Sequence, residues 1–260
     1  MRRVLRLMCV LAHPDDESLG TGGTLAKYAA EGIETFVLTA TRGERGRFGD
    51  GGERPCADVV GATREAELRA AAKELGVREV TILGFPDGAL DAVDAATVQD
   101  AVAEQLRRVR PDVVITFGSE GAYGHPDHIA ISQFTTAAVV RSADEGHRVS
   151  KLYYIAWTAP TWAAYQSALK KLTSTVDGVE RQVVPSPDWG ITTRIDTSAV
   201  WPTVWRAVQC HRTQMSIYKN LEGLAAEHHR ALWGVQEFYR AFSLVNGGRT
   251  RESDLFEGLR

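Results

Sequence analysis

Five consecutive residues, His13-Pro14-Asp15-Asp16-Glu17, place one imidazole and three carboxylates directly after an apolar segment. Such groups lose solvation and the carboxylates repel one another unless a cation lies among them, and a divalent metal is the simplest such cation. A second cluster, Gly124-His125-Pro126-Asp127-His128, follows another apolar segment. The two clusters indicate a metal-dependent hydrolase.

The clusters offer four candidate metal ligands: His13, Asp16, His128 and His125. A hydrolytic zinc site keeps three protein ligands and an open position for water. Two histidines and one carboxylate suit Zn²⁺, and Fe²⁺ and Mn²⁺ also accept this set. One of the adjacent carboxylates, Asp15 or Asp16, could bind the metal while the other accepts a proton from water. The metal lowers the pKa of that water from about 15.7 towards roughly 7.

The second cluster also offers an acid. His125 and His128 lie three residues apart, and Pro126 suits the first turn of a helix. Both imidazoles could face one cleft, with one binding metal and the other, oriented by Asp127, protonating the leaving group. Tyr123 could donate its hydroxyl to a developing oxyanion.

Each cluster alone has a simpler interpretation. The acids at 15–17 could cap the helix that follows, and residues 125–128 could form a solvated turn. Two such clusters, each after a predicted parallel strand, favour a site instead. The other histidines are predicted to lie at the surface (His147, His228 and His229), except His211, for which a site role and a packing role stay equally open.

The segment Gly20-Thr21-Gly22-Gly23 invites a dinucleotide-binding interpretation. It reads G-x-G-x-x-Leu, no lone acid closes the second strand, and the preceding acids would repel a pyrophosphate. We therefore expect these glycines to form a sharp turn that admits substrate. A non-catalytic sugar- or nucleotide-binding domain is the alternative that would use this loop.

Strands and helices alternate over residues 1–157, which predicts an α/β fold with a Rossmann-like, mainly parallel sheet flanked by helices. Ligands of such sheets bind beyond the carboxyl ends of the strands, where both clusters fall. The predicted strands are Val4–Ala12, Thr35–Thr41, Val80–Phe85, Val113–Phe117 and Lys151–Trp157. The predicted helices are Thr24–Glu31, Thr63–Leu75, Asp94 or Thr97 to Arg108, and Ile129–Arg141.

Residues 158–260 are less regular, and we expect this C-terminal extension to complete the same domain as the core of residues 1–157. A strand is predicted at Ile191–Thr197 and helices at Val200–Tyr218 and Glu222–Phe242. Residues 158–190 show no clear periodicity and are predicted to form a loop or insertion beside the site. Residues 249–260 are predicted to be a loose tail.

Composition restricts the partners. Thirty basic and 33 acidic residues give a net charge of −3 without a basic block, which argues against nucleic-acid binding. No apolar stretch is long enough to span a membrane, and the N-terminal apolar run leads into the first cluster without a signal-peptide cleavage site. Three cysteines without CxxC spacing fit a reducing, cytoplasmic setting. The oligomeric state stays open, a homo-oligomer included.

The order and spacing of the motifs resemble the PIG-L/LmbE-type N-acetylglucosaminyl deacetylase family, zinc-dependent enzymes that include those of the mycothiol and bacillithiol pathways. The resemblance covers about the first 135 residues, and His211-Arg212-Thr213-Gln214 resembles a C-terminal family segment more weakly. The motifs that carry it are Ala12-His13-Pro14-Asp15-Asp16-Glu17, Gly20-x-Gly22-Gly23, Thr41-Arg42-Gly43-Glu44, Arg64-x-x-Glu67 and Gly124-His125-Pro126-Asp127-His128.

The resemblance implies roles for ten residues. Zinc would be bound by His13, Asp16 and His128, with Asp15 as the general base. The remaining catalytic roles would fall to His125 as general acid or oxyanion partner, Asp127 holding it, and Tyr123 polarising the acetyl carbonyl. Sugar hydroxyls would be contacted by Arg64, Glu44 and Asp87.

The expected reaction is hydrolysis of the acetamide of a small amino-sugar conjugate to a free amine and acetate. An amidase of sugar-thiol or other N-acyl conjugates could use the same metal site. The group attached to the sugar would be read by residues 42–58 and 158–190. There Trp157, Trp162 and Trp189 could stack on a sugar or pack internally.

Overall fold

A computed structural model describes residues 3–49, 53–143, 146–169, 173–176, 178–248 and 250–260. The strands are β1 Arg6–Leu11, β2 Glu34–Thr41, β3 Glu79–Phe85, β4 Val113–Phe117, β5 Lys151–Ala156, β6 Thr173–Val176, β7 Val179–Gln182, β8 Thr193–Asp196 and β9 Val235–Ser243. The helices are α1 Asp16–Ala30, α2 Ala57–Glu74, α3 Ala95–Val109, α4 Gly121–Gly124, α5 Pro126–Ser142, α6 Ala159–Leu169, α7 Trp201–Cys210, α8 Met215–Glu222 and α9 Ala226–Trp233.

Seven strands form one sheet in the order β3-β2-β1-β4-β5-β9-β8. The first five strands pair in parallel, and β9 runs antiparallel to both β5 and β8. Strands β1 and β4 are almost wholly buried, as expected of apolar strands covered on both faces. The predicted mainly parallel α/β fold is confirmed.

The topology explains where a ligand can bind. The chain leaves β1 towards β2 and β3 on one side and returns to β4 on the other, so the order reverses between β1 and β4. A crevice opens beyond the carboxyl ends of strands at such a reversal. The two polar clusters follow β1 and β4, on either side of this point.

The predicted glycine turn at residues 20–23 is wrong, because α1 begins at Asp16 and includes all of them. A Cβ at Gly23 would lie 2.8 Å from the Thr197 Cβ, and one at Gly22 would lie 3.2 Å from the Val204 Cγ1. The glycines therefore let α1 approach α7 and the segment that leads into it, and they do not form a loop.

The C-terminal predictions need three corrections. The predicted helix Glu222–Phe242 is wrong beyond Trp233, because Gly234 follows α9 and residues 235–243 pair with β5 and β8. The predicted helix Val200–Tyr218 is interrupted after Cys210 by a 3₁₀ turn at Arg212–Gln214. Residues 158–190 contain α6 and the β6–β7 hairpin in their described parts. The boundary at residue 157 stays a prediction, although β8 and β9 extend the core sheet.

Two buried histidines also differ from prediction. His147 lies against the Pro111 carbonyl oxygen at 2.9 Å, and His229 packs among Trp201, Trp205 and Trp233. Both are enclosed by residues well separated from them in the sequence, which local polarity does not reveal. No helix within the described residues has both the length and the hydropathy needed to cross a membrane.

The predicted loose tail is wrong for residues 250–260, while Arg249 lies outside the described residues. The Glu252 carboxylate is buried and accepts from Lys151 Nζ at 2.8 Å, from the Tyr153 hydroxyl at 2.7 Å and from the Thr193 hydroxyl at 2.7 Å. Arg240 reaches the same carboxylate. This buried carboxylate ties the C-terminal segment to the sheet.

Replacing Glu252 with alanine should lower the free energy of unfolding by about 3–5 kcal/mol, because Lys151 is left buried without its counter-charge. The matched control is Asp188→Ala, which removes exposed pairs with Arg194 and Arg251 and should change the stability far less, since water screens those pairs. Urea unfolding measures both. Equal, small losses would show that the tail does not stabilise the sheet.

Candidate active site

Side chains from the ends of the parallel strands and from the C-terminal region line a cavity of about 400 Å³. Eight of the ten residues with roles implied by the motifs contribute to its wall, whereas Glu44 and Asp127 do not. The eight are His13, Asp15, Asp16, Arg64, Asp87, Tyr123, His125 and His128. The side chains that the topology places at one edge of the sheet therefore line one cavity.

These eight side chains come from separate parts of the chain. His13 to Asp16 form the tight connection from β1 into α1, and His125 and His128 lie at the start of α5 after β4. Asp87 follows β3, and Arg64 reaches across from α2. Parallel strands bring these connections to one edge of the sheet.

The donor atoms of the three predicted metal ligands lie close together. His13 Nδ1 is 3.2 Å from His128 Nε2 and 3.6 Å from an Asp16 carboxylate oxygen, and His128 Nε2 is 3.4 Å from the other Asp16 oxygen. Ligand atoms about 2.0–2.2 Å from one tetrahedral ion are about 3.3–3.6 Å apart. The separations of the three side chains are therefore compatible with ligands of one divalent ion.

The other ring nitrogen of His13, Nε2, is held by two carboxylates. His13 Nε2 lies 3.1 Å from Asp127 Oδ2 and 3.2 Å from Asp87 Oδ1. The Asp127 carboxylate is itself held by the backbone N–H groups of Gly88 at 2.7 Å and Leu90 at 3.1 Å. A carboxylate on one imidazole nitrogen keeps the proton there and leaves the lone pair of the other nitrogen for a metal.

His13 also belongs to two other groups of donors that could hold a cation, one with His125 and His128 and one with Asp87 and Asp127. Asp127 is fully buried and both of its oxygens accept backbone N–H groups. Asp87 Oδ2 accepts the Arg45 N–H at 2.7 Å. Both Asp127 oxygens and Asp87 Oδ2 are thus already held by backbone N–H groups. On the Nδ1 side of His13, Asp16 Oδ2 accepts the His13 N–H at 2.8 Å, and Asp16 and His128 both line the cavity.

The charge states of His13 and Asp16 depend on neighbouring groups of opposite charge. Burial alone would lower the pKa of His13, but Asp127, Asp16 and Asp87 outweigh it and raise that pKa well above its usual value. Burial would likewise raise the pKa of Asp16, but His128 and His13 hold it well below its usual value. Acids and imidazoles in this cluster therefore stabilise each other's charged forms.

Asp15 lies beside the ligand group but points elsewhere. Its Oδ2 accepts from the Tyr218 hydroxyl at 2.8 Å and from Arg64 at 3.1 Å. Its backbone has a φ of 111°, a left-handed conformation that is rare for a residue with a side chain. Burial raises the pKa of Asp15, and Arg64 opposes that effect. A carboxyl whose pKa is raised is better suited to accept a proton near neutral pH.

Glu17 and His211 form a buried pair behind Asp15. His211 Nε2 lies 2.7 Å from Glu17 Oε1, and Glu17 Oε2 accepts the Asp15 N–H at 2.9 Å. Glu17, which had no catalytic assignment, therefore supports the connection between β1 and α1. His211, left open by the sequence, belongs to the surroundings of the site.

His125 differs from the prediction in its partner. Its Nδ1 lies 3.2 Å from the Asp127 backbone nitrogen and accepts that N–H as the N-cap of α5. The Asp127 carboxylate is turned to His13, so it does not orient the His125 ring as predicted. Burial, then His13 and His128, lowers the pKa of His125 to about 4. In the neutral imidazole the proton is then on Nε2.

Tyr123 packs its ring edge-on against two histidines, with centroid distances of 5.9 Å to His125 and 5.4 Å to His128. Burial raises the pKa of its hydroxyl, and the charges of Asp16 and Asp15 add to that effect. The group therefore stays protonated and can donate a hydrogen bond.

The predicted sugar-binding residues are only partly placed as expected. Arg64 and Asp87 line the cavity, but their polar groups also bind Asp15 and His13. Glu44 does not line it, because its Oε1 accepts the Asp87 N–H at 2.8 Å. Glu44 therefore supports Asp87 in this structure, and its predicted contact with the sugar stays a prediction.

The C-terminal region supplies part of the cavity wall, from residues 158–190, which were predicted to lie beside the site, and from residues 214–218, which were not. Gln214, Ile217 and Tyr218 line the cavity on one side, and Tyr165 and Leu169 of α6 line it on another. Of the three tryptophans, Trp157 lines the cavity and stacks on Tyr165 at 4.8 Å, Trp162 is buried, and Trp189 is 82% exposed. The segment His211-Arg212-Thr213-Gln214 was the available signal for this wall.

Comparisons with known proteins agree with this geometry. A sequence model of the family described as "GlcNAc-PI de-N-acetylase" (PIG-L) matches residues 8–139. The 1D-myo-inositol 2-acetamido-2-deoxy-alpha-D-glucopyranoside deacetylase of Rhodococcus jostii RHA1 is 35% identical over 98% of each chain.

Solved structures share the fold along nearly the whole chain. The conserved protein TT1542 from Thermus thermophilus has a TM-score of 0.65 and 29% identity, covering 95% of this chain and 100% of its own. GalB, the 4-carboxy-2-hydroxymuconate hydratase of Pseudomonas putida KT2440, has a TM-score of 0.68 and 21% identity, covering 94% and 99%. At that identity the likeness to GalB shows the fold alone.

Proposed function

Because the chain belongs to the PIG-L family, we propose that it is a metal-dependent N-deacetylase of an N-acetylglucosamine conjugate, releasing a free amine and acetate. One observation carries the proposal: ring nitrogens of His13 and His128 lie 3.2 Å apart, each within 3.6 Å of an Asp16 carboxylate oxygen, and a separate carboxylate, Asp15, lies beside them. A hydrolase needs both a site that activates the amide and a base that takes a proton from water.

We assign the metal to His13 Nδ1, Asp16 and His128 Nε2, and we propose Zn²⁺ from this set of two imidazoles and one carboxylate. Fe²⁺ and Mn²⁺ suit the same donors. When bound, the cation supplies Lewis acidity towards water and towards the amide carbonyl.

Asp15 is the proposed base. Tyr218 and Arg64 hold its Oδ2, and among the residues that the structure describes no donor lies on Oδ1. Oδ1 can therefore accept a proton from the attacking water while the hydroxide oxygen bonds to the acetyl carbon. The protonated carboxyl then returns this proton to the nitrogen as the carbon–nitrogen bond breaks, which gives the amine and acetic acid, and the acid loses its proton to solvent to become acetate.

His125 and Tyr123 are the proposed donors to the carbonyl oxygen. The Asp127 N–H occupies His125 Nδ1, so the neutral ring carries its proton on Nε2 and can donate it as a hydrogen bond. The Tyr123 hydroxyl is a second donor. Fixed donors that stabilise the charge on the carbonyl oxygen lower the barrier without transferring a proton.

For the substrate, we propose an amino sugar joined to inositol, as in the name of the Rhodococcus relative. Arg64 and Asp87, which line the cavity, are the proposed contacts to the sugar hydroxyls. The apolar surface of Trp157 is available to a sugar face.

The proposal is tested by incubating the metal-loaded protein with N-acetylglucosamine joined to inositol, to a lipid, to malate and to a second sugar. Bulkier N-acyl analogues of each conjugate complete the panel. We expect acetate from at least the inositol conjugate, at a higher kcat/KM than for the bulkier acyl groups. Faster cleavage of the bulkier groups would indicate a broader amidase, and bound metal without any turnover would favour a binding domain.

Replacing Asp127 with asparagine should raise the metal Kd by about 10–100-fold, because His13 loses the carboxylate that fixes its tautomer. The matched control is Asp94→Asn, which changes an Asp that also accepts a backbone N–H, at the N-cap of α3. Asparagine caps a helix equally well, so the control should bind metal like the wild type. Titration with Zn²⁺ against a chelator measures both, and an unchanged Kd for Asp127→Asn would contradict the assignment.

A further inference from the structure

Tyr218 contacts the proposed base directly. Its hydroxyl donates to Asp15 Oδ2 at 2.8 Å, and the side chain is almost fully buried on α8. Arg64 donates to the same oxygen at 3.1 Å. One oxygen of the Asp15 carboxylate is thus held by two donors, and one of them comes from outside the residues that match the family model.

The backbone of Asp15 is held from the other side by His211. Its imidazole pairs with Glu17, and the second oxygen of Glu17 accepts the Asp15 N–H. Both side chains of this pair are fully buried. The pair therefore links the C-terminal segment to the main chain of Asp15 through two short hydrogen bonds.

The conformation of Asp15 explains why such support is needed. Its φ of 111° and ψ of −27° lie in a region that residues with a side chain seldom occupy. Strained backbone of this kind persists at functional sites only where the surroundings fix it from several directions. For Asp15 the fixed points are the N–H, held by Glu17, and Oδ2, held by Tyr218 and Arg64.

The segment that carries both residues is itself anchored to the N-terminal half. Glu67 accepts from the backbone N–H and from the hydroxyl of Thr213, at 2.8 and 2.7 Å. Gln214 donates to the Arg47 carbonyl oxygen at 2.6 Å. These bonds fix residues 211–218 against the loop after β2 and against α2.

We propose that Tyr218 and the Glu17–His211 pair are positioning residues that hold Asp15 so that Oδ1 faces the attacking water. This inference rests on the proposed function, in which Asp15 is the base. It gives the C-terminal segment a role in turnover, beyond forming a wall of the cavity.

The first test is Tyr218→Phe, which removes the hydroxyl and keeps the ring that lines the cavity. We expect kcat to fall about 10- to 100-fold, the effect of losing one hydrogen bond to a charged group, with KM within about twofold. Metal content should stay that of the wild type. The matched control is Tyr28→Phe, which removes a buried hydroxyl that donates to Asp254 at 2.9 Å, far from the cavity. Tyr28→Phe should keep the wild-type kcat, even if its Tm falls as much as that of Tyr218→Phe.

The second test compares two changes at His211. His211→Gln keeps an N–H donor for Glu17, and His211→Leu removes it. We expect His211→Leu to lose kcat about 10-fold or more and His211→Gln to recover most of it, with KM and metal content unchanged. Equal losses in the two variants, in proportion to their Tm, would show a structural role alone and overturn this part of the proposal.

Crystal structures of the zinc-loaded wild type and Tyr218→Phe separate this inference from the proposed function. We expect the Asp15 carboxylate in one conformation in the wild type and in a different or split conformation in the variant. If the wild type released no acetate, the proposed function would fail, while the conformation of Asp15 would still be measured. An unmoved Asp15 with unchanged kcat in Tyr218→Phe would overturn the inference.

Discussion

Replacing Asp15 with alanine should leave one metal ion per chain and lower kcat by about 100- to 10,000-fold, the contribution of a positioned general base. The three ligand atoms of His13, Asp16 and His128 do not depend on the Asp15 side chain, whose Oδ2 is bound to Tyr218 and Arg64. Metal analysis of the purified variant and acetate release under saturating substrate measure the two effects separately.

The neighbouring residue provides the matched comparison. Asp16→Ala removes a carboxylate of the same size one position away, but this one lies 3.4 Å from His128 Nε2 in the ligand group. It should therefore lose the metal together with the activity. Near-full turnover in Asp15→Ala, or loss of metal from that variant, would show that the two carboxylates have been assigned the wrong roles.

Replacing His128 with alanine should abolish activity through loss of the metal. Only two ligands remain, and the metal Kd should rise by more than the roughly 100-fold that a change in a supporting residue can cause. The imidazole of His128 stacks on Phe117 at 3.9 Å and is buried, so the substitution also removes packing. Circular dichroism and Tm must therefore be measured along with metal content.

His125→Ala is the control for this prediction, because it removes an imidazole whose centroid is 4.8 Å from that of His128. His125 is a proposed donor to the substrate oxygen and not a ligand. Its loss should lower kcat while the metal stays bound. If His125→Ala lost the metal and His128→Ala kept it, the ligand set would have to be His13, Asp16 and His125.

The residues that meet at the site could be predicted from the order of strands and helices along the chain. His13 and His128 are 115 positions apart, yet each follows the end of a buried strand, and parallel strands place those ends at one edge of the sheet. In the structure their nitrogens lie 3.2 Å apart. The fold class followed from the same alternation of strands and helices.

The partners of these side chains were not predictable in the same way. Asp127 follows His125 by two positions, but its carboxylate turns to His13 because the N–H groups of Gly88 and Leu90 hold it there. That choice depends on side-chain rotamers and on a loop after another strand. Adjacency in sequence therefore gave the wrong partner for Asp127.

The contribution of the C-terminal region to the site was the hardest part to predict from the sequence. Tyr218 lies 203 positions from Asp15, and no spacing rule connects them. The predicted helix that is wrong beyond Trp233 lies in the same region. There Gly234 and the aromatic residues that follow it indicate a strand. Pairing with β5 decided the conformation there, and pairing over such a distance cannot be read from local periodicity.

The most direct test of the proposed function is the ratio of acetate to primary amine that the zinc-loaded wild type releases from the inositol conjugate of N-acetylglucosamine. Hydrolysis of the acetamide predicts equal amounts of both products, formed at the same rate, with no release after the metal is removed and recovery when it is restored. Protein with one bound zinc per chain that released neither product would contradict the proposal.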